Sequence, residues 1–191
     1  MARRWIIATA AGEALGIAGV SLAYAASGRG LLPEAPAILA AGAWEGACLG
    51  SAQALVLARR GVSAPRWIGA TVTIAVLGYA GSLAAGTGGG ASDAAAPPLP
   101  AMFAAAAALG AVLGALMGCV QWAAAGHRIA FRPWLWRSTL GWALAMCAIF
   151  AGSAIVTDAW PLAAIALTGA GAGALAGLFL GAVTAPAVPK A

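Results

Sequence analysis

Gly114-Ala-Leu-Met-Gly118-Cys-Val-Gln121-Trp122 and Gly46-Ala-Cys-Leu-Gly50-Ser-Ala-Gln53 share one spacing, G-x-x-x-G-x-x-Q, and both lie inside long apolar runs. At about 100° per residue, positions i, i+4 and i+7 fall on one face of a helix. Each stretch therefore makes a glycine groove that ends in an amide. Grooves of this kind let two helix backbones approach closely, which suits contact with protein and wastes the face if it is turned to lipid. A worn third copy, Gly177, Gly181 and Thr184, keeps the spacing and replaces the amide by a hydroxyl.

The surroundings of these stretches fix the class of protein. Hydrophobic residues make up 63% of the chain and charged residues 8%, against about 25% charged in a soluble domain. The mean hydropathy is +0.94. The chain reads as an all-α integral membrane protein. Its 191 residues include 27 glycines and accommodate six spans of about 20 residues in a single membrane domain, residues 1–191. Apolar runs cover about residues 5–27, 36–58, 67–85, 101–126, a fifth that reads from Trp134 and continues to about Thr157, and 162–185. Arg3 and Arg4 followed by an apolar run and Ala23-Tyr-Ala25 resemble a secretory signal, but the run is long enough to span and Glu13 interrupts it. It reads as a retained first span.

Charge gives the orientation. Nine of the ten basic residues lie at the amino terminus, in the second and fourth connections with the start of the fifth span, or at Lys190. The other connections carry Arg29, Glu34, Asp93 and Asp158. By the positive-inside rule both termini face the cytoplasm. Trp5, Trp67, Trp134 and Trp136 are then expected at the cytoplasmic interface, where indoles prefer to sit. The net charge of +5 is spread over connection ends and forms no patch for nucleic acid.

The spans repeat. Trp5…Thr9, Trp67…Thr71 and Trp134…Ser138 open the odd spans, and the glycine motif recurs in the even ones. Three tandem helical hairpins follow, about residues 1–62, 63–129 and 130–191, all of the same topology. The combination of a Gly-x-x-x-Gly-x-x-Gln helix, an arginine-bearing turn and a following Trp-x-x-Ala-Thr helix resembles a family of uncharacterised bacterial polytopic membrane proteins, with a motif close to G-x-x-x-G-x-x-Q-W-x-x-L-R-R. The resemblance covers the joins of spans two to three and four to five. Gln53 is followed by Ala54 where the family has Trp, and Gln121-Trp122 lacks the leucine. The resemblance implies the topology and a bacterial inner (cytoplasmic) membrane. It implies no activity.

Glu13 and Glu45 are the candidate solute- or ion-binding residues, with Gln53 and Gln121. A carboxylate inside a span costs on the order of 2.5–3.5 kcal/mol even on the translocon scale, so such residues usually serve a pathway or a partner. Counted at about 1.5 Å per residue, Glu13 lies roughly 12 Å and Glu45 roughly 20 Å from the cytoplasmic edge, as two steps of one path. Glu13 is placed to hydrogen-bond Gln53. The plainer reading makes both glutamates uncharged interhelical glue. Trp142 and Ile74 stand where the other copies match Glu13. Gln53, Gln121 and Thr184 either ring a central axis or lock helix pairs; locking within each hairpin is favoured, because glycine grooves close space. Gly46, Gly50, Gly114, Gly118, Gly177 and Gly181 are assigned to helix packing.

Other signals are bland. Cys48, Cys119 and Cys147 fall in spans without a C-x-x-C pair and read as buried small side chains, so neither metal nor disulfide is expected. Gly86-Thr-Gly-Gly-Gly-Ala-Ser-Asp93 has no lysine-serine continuation and reads as a solvated loop. His127 reads as a headgroup contact. Gly81-Ser82 and Gly152-Ser153 have no base at their depth, so an enzyme is not expected, nor is a cofactor. Two functions remain: binding or passage of a small solute or ion, with proton linkage through the glutamates, or a non-catalytic accessory or scaffold subunit holding lipid or pigment. The partners expected are membrane lipid and either further copies of the chain or a larger membrane complex.

Overall fold

A computed structural model describes residues 1–85, 98–157 and 159–188. The glycine-rich stretch to Asp93, Asp158 and Lys190 lie outside the described residues. Six long helices account for nearly all of the rest: α1 (Ala2–Gly28), α2 (Glu34–Leu57), α3 (Ala64–Ala84), α4 (Leu99–Ala124), α5 (Phe131–Ser153) and α6 (Leu162–Thr184). The described residues contain no strand. Proline sets the start of every even helix. Pro33, Pro98 and Pro161 occupy the position before the first turn, with φ between −54° and −66°, where the fixed ring angle leads into a helix and the missing N–H is not needed. Gly61 closes the turn after α2 at φ +73°. The turn after α4 carries Gly126 and His127 consecutively at positive φ.

All the helices but α2 are long and apolar enough to cross a membrane, and the chain is a helical multi-pass membrane protein. Glu45 and Gln53 dilute the apolar content of α2. Polarity is inverted relative to a soluble bundle. Leu15, Leu55, Leu77, Val112 and Leu167 are exposed, whereas Thr9, Glu13, Glu45, Gln53, Thr71, Gln121, Ser138 and Thr184 are buried. In lipid the apolar effect does not drive helices together, so interior contact rests on close packing and hydrogen bonds.

The helices form a closed ring in chain order. Each packs along the next, α6 seats on α1 as closely as any pair, and α3 with α4 is the loosest joint. Glycine makes these joints. A Cβ placed on Gly46 would lie 2.6 Å from Cα of Val72 on α3, one on Gly114 2.9 Å from Cα of Thr139 on α5, and one on Gly177 2.5 Å from Cα of Ala10 on α1. Gly50, Gly118 and Gly181 press on Ile68, Leu135 and Ile6 of the same helices. The motif grooves therefore face the following helix, and the last of them faces the first helix. These glycines do not supply the contact with the partner helix of the same hairpin, whereas the amides of Gln53 and Gln121 do reach Thr9 and Thr71 of their hairpin partners. Glycines on the odd helices make that contact instead: Gly12 and Gly16 of α1 meet Leu49 and Glu45 of α2, and Gly141 of α5 meets Leu180 of α6.

Trp5, Trp67 and Trp134 are 0–1% exposed. Their rings meet edge to face with centroids 5.6–6.4 Å apart. They are not the interfacial belt the sequence suggested; only Trp136, 50% exposed, stands outward. An indole at a span end satisfies its N–H in headgroups, but three on facing helices find partners in each other and in neighbouring side chains. Val62, Ile129 and Val188, one from each connection or tail at this end, pack onto the indole cluster. The cysteines also depart from expectation. Cys119 is exposed and Cys48 and Cys147 are only partly buried, with Cys147 Sγ turned toward the Phe103 carbonyl of α4.

Candidate functional site

The interior is built in layers that begin at the indoles. Trp67 Nε1 donates to Gln53 Oε1 at 3.1 Å, and Trp5 Nε1 donates to Thr184 Oγ1 at 2.9 Å. Gln53 Nε2 reaches Thr9 Oγ1 at 3.5 Å, and Gln121 Nε2 donates to Thr71 Oγ1 at 3.0 Å. Thr184 in turn donates to the Leu180 carbonyl at 2.6 Å. Each even helix is thus tied by its amide or hydroxyl to the indole or hydroxyl of an odd helix. Gln53 and Gln121 are spent on these bonds. The predicted Glu13 to Gln53 hydrogen bond is absent, because Thr9, one turn nearer the indoles, takes the amide. The next layer is apolar: Leu49, Met117 and Leu180 are 1–3% exposed and belong to one cluster with Ile74 and Trp142. Side chains fill the axis through these layers.

One indole breaks the pattern. Trp134 Nε1 is buried with no hydrogen-bond partner. Trp67→Phe would strip Gln53 Oε1 of its donor inside the bundle, whereas Trp134→Phe removes a group that is already unpaired. An orphaned buried polar atom costs about 1–3 kcal/mol. Trp67→Phe is therefore expected to lower stability by about 1–2 kcal/mol more than Trp134→Phe, as read from SDS-induced unfolding in mixed micelles. Equal losses would show that the hydrogen bond is energetically idle.

The two carboxyls lie alongside this apolar cluster, at the register of its members Trp142 and Ala176. Glu13 is fully buried and Glu45 is 4% exposed. They are within electrostatic reach of each other. A Cβ on Gly16, one turn past Glu13, would touch Glu45 Cγ at 2.9 Å. Glu45 therefore lies about one turn beyond Glu13 on the neighbouring helix, each eight residues along its helix from Trp5 or Gln53 and closer in depth than the counts from the span ends suggest. Tyr79 of α3 donates its hydroxyl to Glu45 Oε2. The Tyr79 ring approaches Tyr24 of α1, centroids 6.4 Å apart, and Tyr24 hydrogen-bonds Ser82. Ser82 also donates to the Tyr79 carbonyl at 2.9 Å. Both oxygens of Glu13 are buried and have no partner. No family model, curated protein or solved structure matches this chain.

The acids occupy one sector of the ring only. Counted from the indoles, Glu13 matches Ala75 on α3 and Trp142 on α5; Ile74 matches Gly12, which corrects the sequence alignment. Counted from Gln53, Gln121 and Thr184, Glu45 matches Leu113 and Ala176. The contact is the same where the chemistry differs: Gly78 meets the Leu113 side chain at 3.1 Å, as Gly16 meets Glu45. Tyr79 and Tyr24 were not among the sequence candidates. The chain has two tyrosines, and both sit past the acids on this sector, which was the available signal. His127 stacks edge to face on Trp122 with centroids 4.6 Å apart. Among the described residues no group of three His, Cys, Asp or Glu side chains is placed to hold a metal ion.

Proposed function

We propose that the protein binds a proton or small cation at the Glu13 and Glu45 pair and passes it along the α1, α2 and α3 sector. One observation carries the reading: Glu13 is completely buried and neither of its carboxyl oxygens meets a partner. Glue would spend those oxygens on a neighbouring helix. An intramembrane carboxyl kept without a bond is an expense that binding of a positive charge offsets. Tyr79, Tyr24 and Ser82 lead from Glu45 toward the end of α3 away from the indoles, as hydroxyls able both to donate and to accept. We read α2 as the sixth span, both termini as cytoplasmic on the basis of the arginines, and the membrane as a bacterial inner membrane. The repeated G-x-x-x-G-x-x-Q helices favour three hairpins of one topology, in which the first pair has been specialised.

A second reading has support of its own. The indole, amide and apolar layers fill the axis with packed side chains, which suits a rigid accessory subunit. The two readings separate in proteoliposomes loaded with a pH-sensitive dye. Under an imposed potential, Glu13→Gln and Glu45→Gln are each expected to cut proton or sodium flux at least about tenfold while the unfolding midpoint is kept. Tyr79→Phe is expected to have a smaller effect. Wild-type protein that conducts neither ion above empty vesicles, and co-purifies with a second membrane protein, would establish the accessory role.

A further inference from the structure

A groove of about 650 Å³ opens on the outer surface between the start of α1 and the end of α2. Its apolar wall is formed by Ala8, Ala52 and Leu55, and its mouth by Arg4, Arg59 and Arg60. Leu55 is 77% exposed, so the wall faces lipid. Among the described residues the carboxylates are Glu34, at the far end of α2, and the buried Glu13 and Glu45. Among the described residues the three guanidiniums therefore have no acidic neighbour, and Arg60 Nη2 donates to the Met1 sulfur at 3.4 Å. The corresponding place between α5 and α6 is closed. Counted from the indoles, Ala8 matches Arg137, and counted from the amides, Ala52 matches Val183. There Arg137 Nη1 donates to the Val183 carbonyl at 2.9 Å and the guanidinium lies over Trp136. Alanine at position 8 leaves open what arginine fills at position 137.

We infer that the α1–α2 groove holds one anionic glycerophospholipid. Its phosphate sits among Arg4, Arg59 and Arg60, and an acyl chain runs along Ala8, Ala52 and Leu55. Charge and shape select this occupant together. Guanidinium forks match phosphate oxygens, basic side chains at a membrane surface favour anionic headgroups, and a channel walled by alanine leaves the width of an alkyl chain. A free phosphate would use the mouth and ignore the wall.

The test is native mass spectrometry of the full chain in mild detergent with equal amounts of phosphatidylglycerol and phosphatidylcholine. Wild type is expected to retain one phosphatidylglycerol with a preference of at least about tenfold. The triple variant Arg4→Gln, Arg59→Gln, Arg60→Gln is expected to fall to parity. Arg128→Gln with Arg132→Gln, on the same end and outside the groove, is expected to leave the preference intact. Ala8→Leu with Ala52→Leu, which fills the half-buried wall and keeps the charges, is expected to lose the lipid, and serves in place of the triple variant if that fails to fold. Three results would overturn the inference: no preference in wild type, equal loss in the Arg128 and Arg132 variant, or displacement of the lipid by millimolar inorganic phosphate.

Discussion

Gly177→Leu is expected to prevent the ring from closing, with the variant eluting as aggregate or expanded species from a column that returns wild type as one symmetric peak. A Cβ at Gly177 already lies 2.5 Å from Cα of Ala10 and 2.7 Å from the Thr9 carbonyl. Both obstacles are backbone, so no rotamer change relieves them. Overpacking a rigid contact typically costs about 1–3 kcal/mol and occasionally more, and leucine adds three more carbons beyond the Cβ. Contact with lipid supplies no compensating drive, because the separated helices are already solvated by chains as apolar as leucine. Gly171→Leu is the matched control: a Cβ there meets nothing within 4 Å. Equal behaviour of the two variants would refute the groove as the closing contact.

The second large effect is at the hub. Trp5→Ala removes a fully buried indole that touches both Trp67 and Trp134 and donates to Thr184. Deleting a buried aromatic typically costs about 3–5 kcal/mol in water-soluble cores. The transfer component shrinks in a bilayer, so a loss of roughly 2–4 kcal/mol is expected here. The SDS unfolding midpoint should fall well below that of Trp136→Ala, whose indole is half exposed. A Trp5→Ala midpoint within error of wild type would mean that the three indoles carry no structural weight.

Much of the architecture was legible before any coordinates. Long apolar runs broken by proline and arginine define the helices within a few residues, because a bilayer leaves the backbone no other way to satisfy its polar groups. The burial of Glu13, Glu45, Gln53 and Gln121 followed from the same cost. What a single sequence conceals is the partner of each face. A G-x-x-x-G groove is the same groove whichever helix fills it, so Gly46 gave no sign that its contact is Val72 on the following helix. Statistical preference also misled: tryptophan near a span end usually lies at the interface, yet Trp5, Trp67 and Trp134 share a register with Thr9, Thr71 and Ser138 that turns them inward. The Glu13 to Gln53 pairing failed for a related reason. Depth along a helix ranks the possible partners, but the Thr9 hydroxyl, one turn nearer the indoles, competes for the same amide.

The seating of α6 on α1 has a consequence for biogenesis. Translation proceeds at about 5–20 residues per second, so roughly 10–30 s separate completion of the first helix from emergence of the last. Throughout that wait the backbone of Thr9, Ala10 and Glu13, destined for Gly173 and Gly177, faces the bilayer or the insertion machinery. Gly12 and Gly16 can meanwhile seat on α2, so the acidic pair is shielded on one flank as soon as the second helix is made. Assembly is then a vectorial process in which α6 joins a segment made long before it, and a nascent chain stalled before α6 is the form that membrane quality control would recognise.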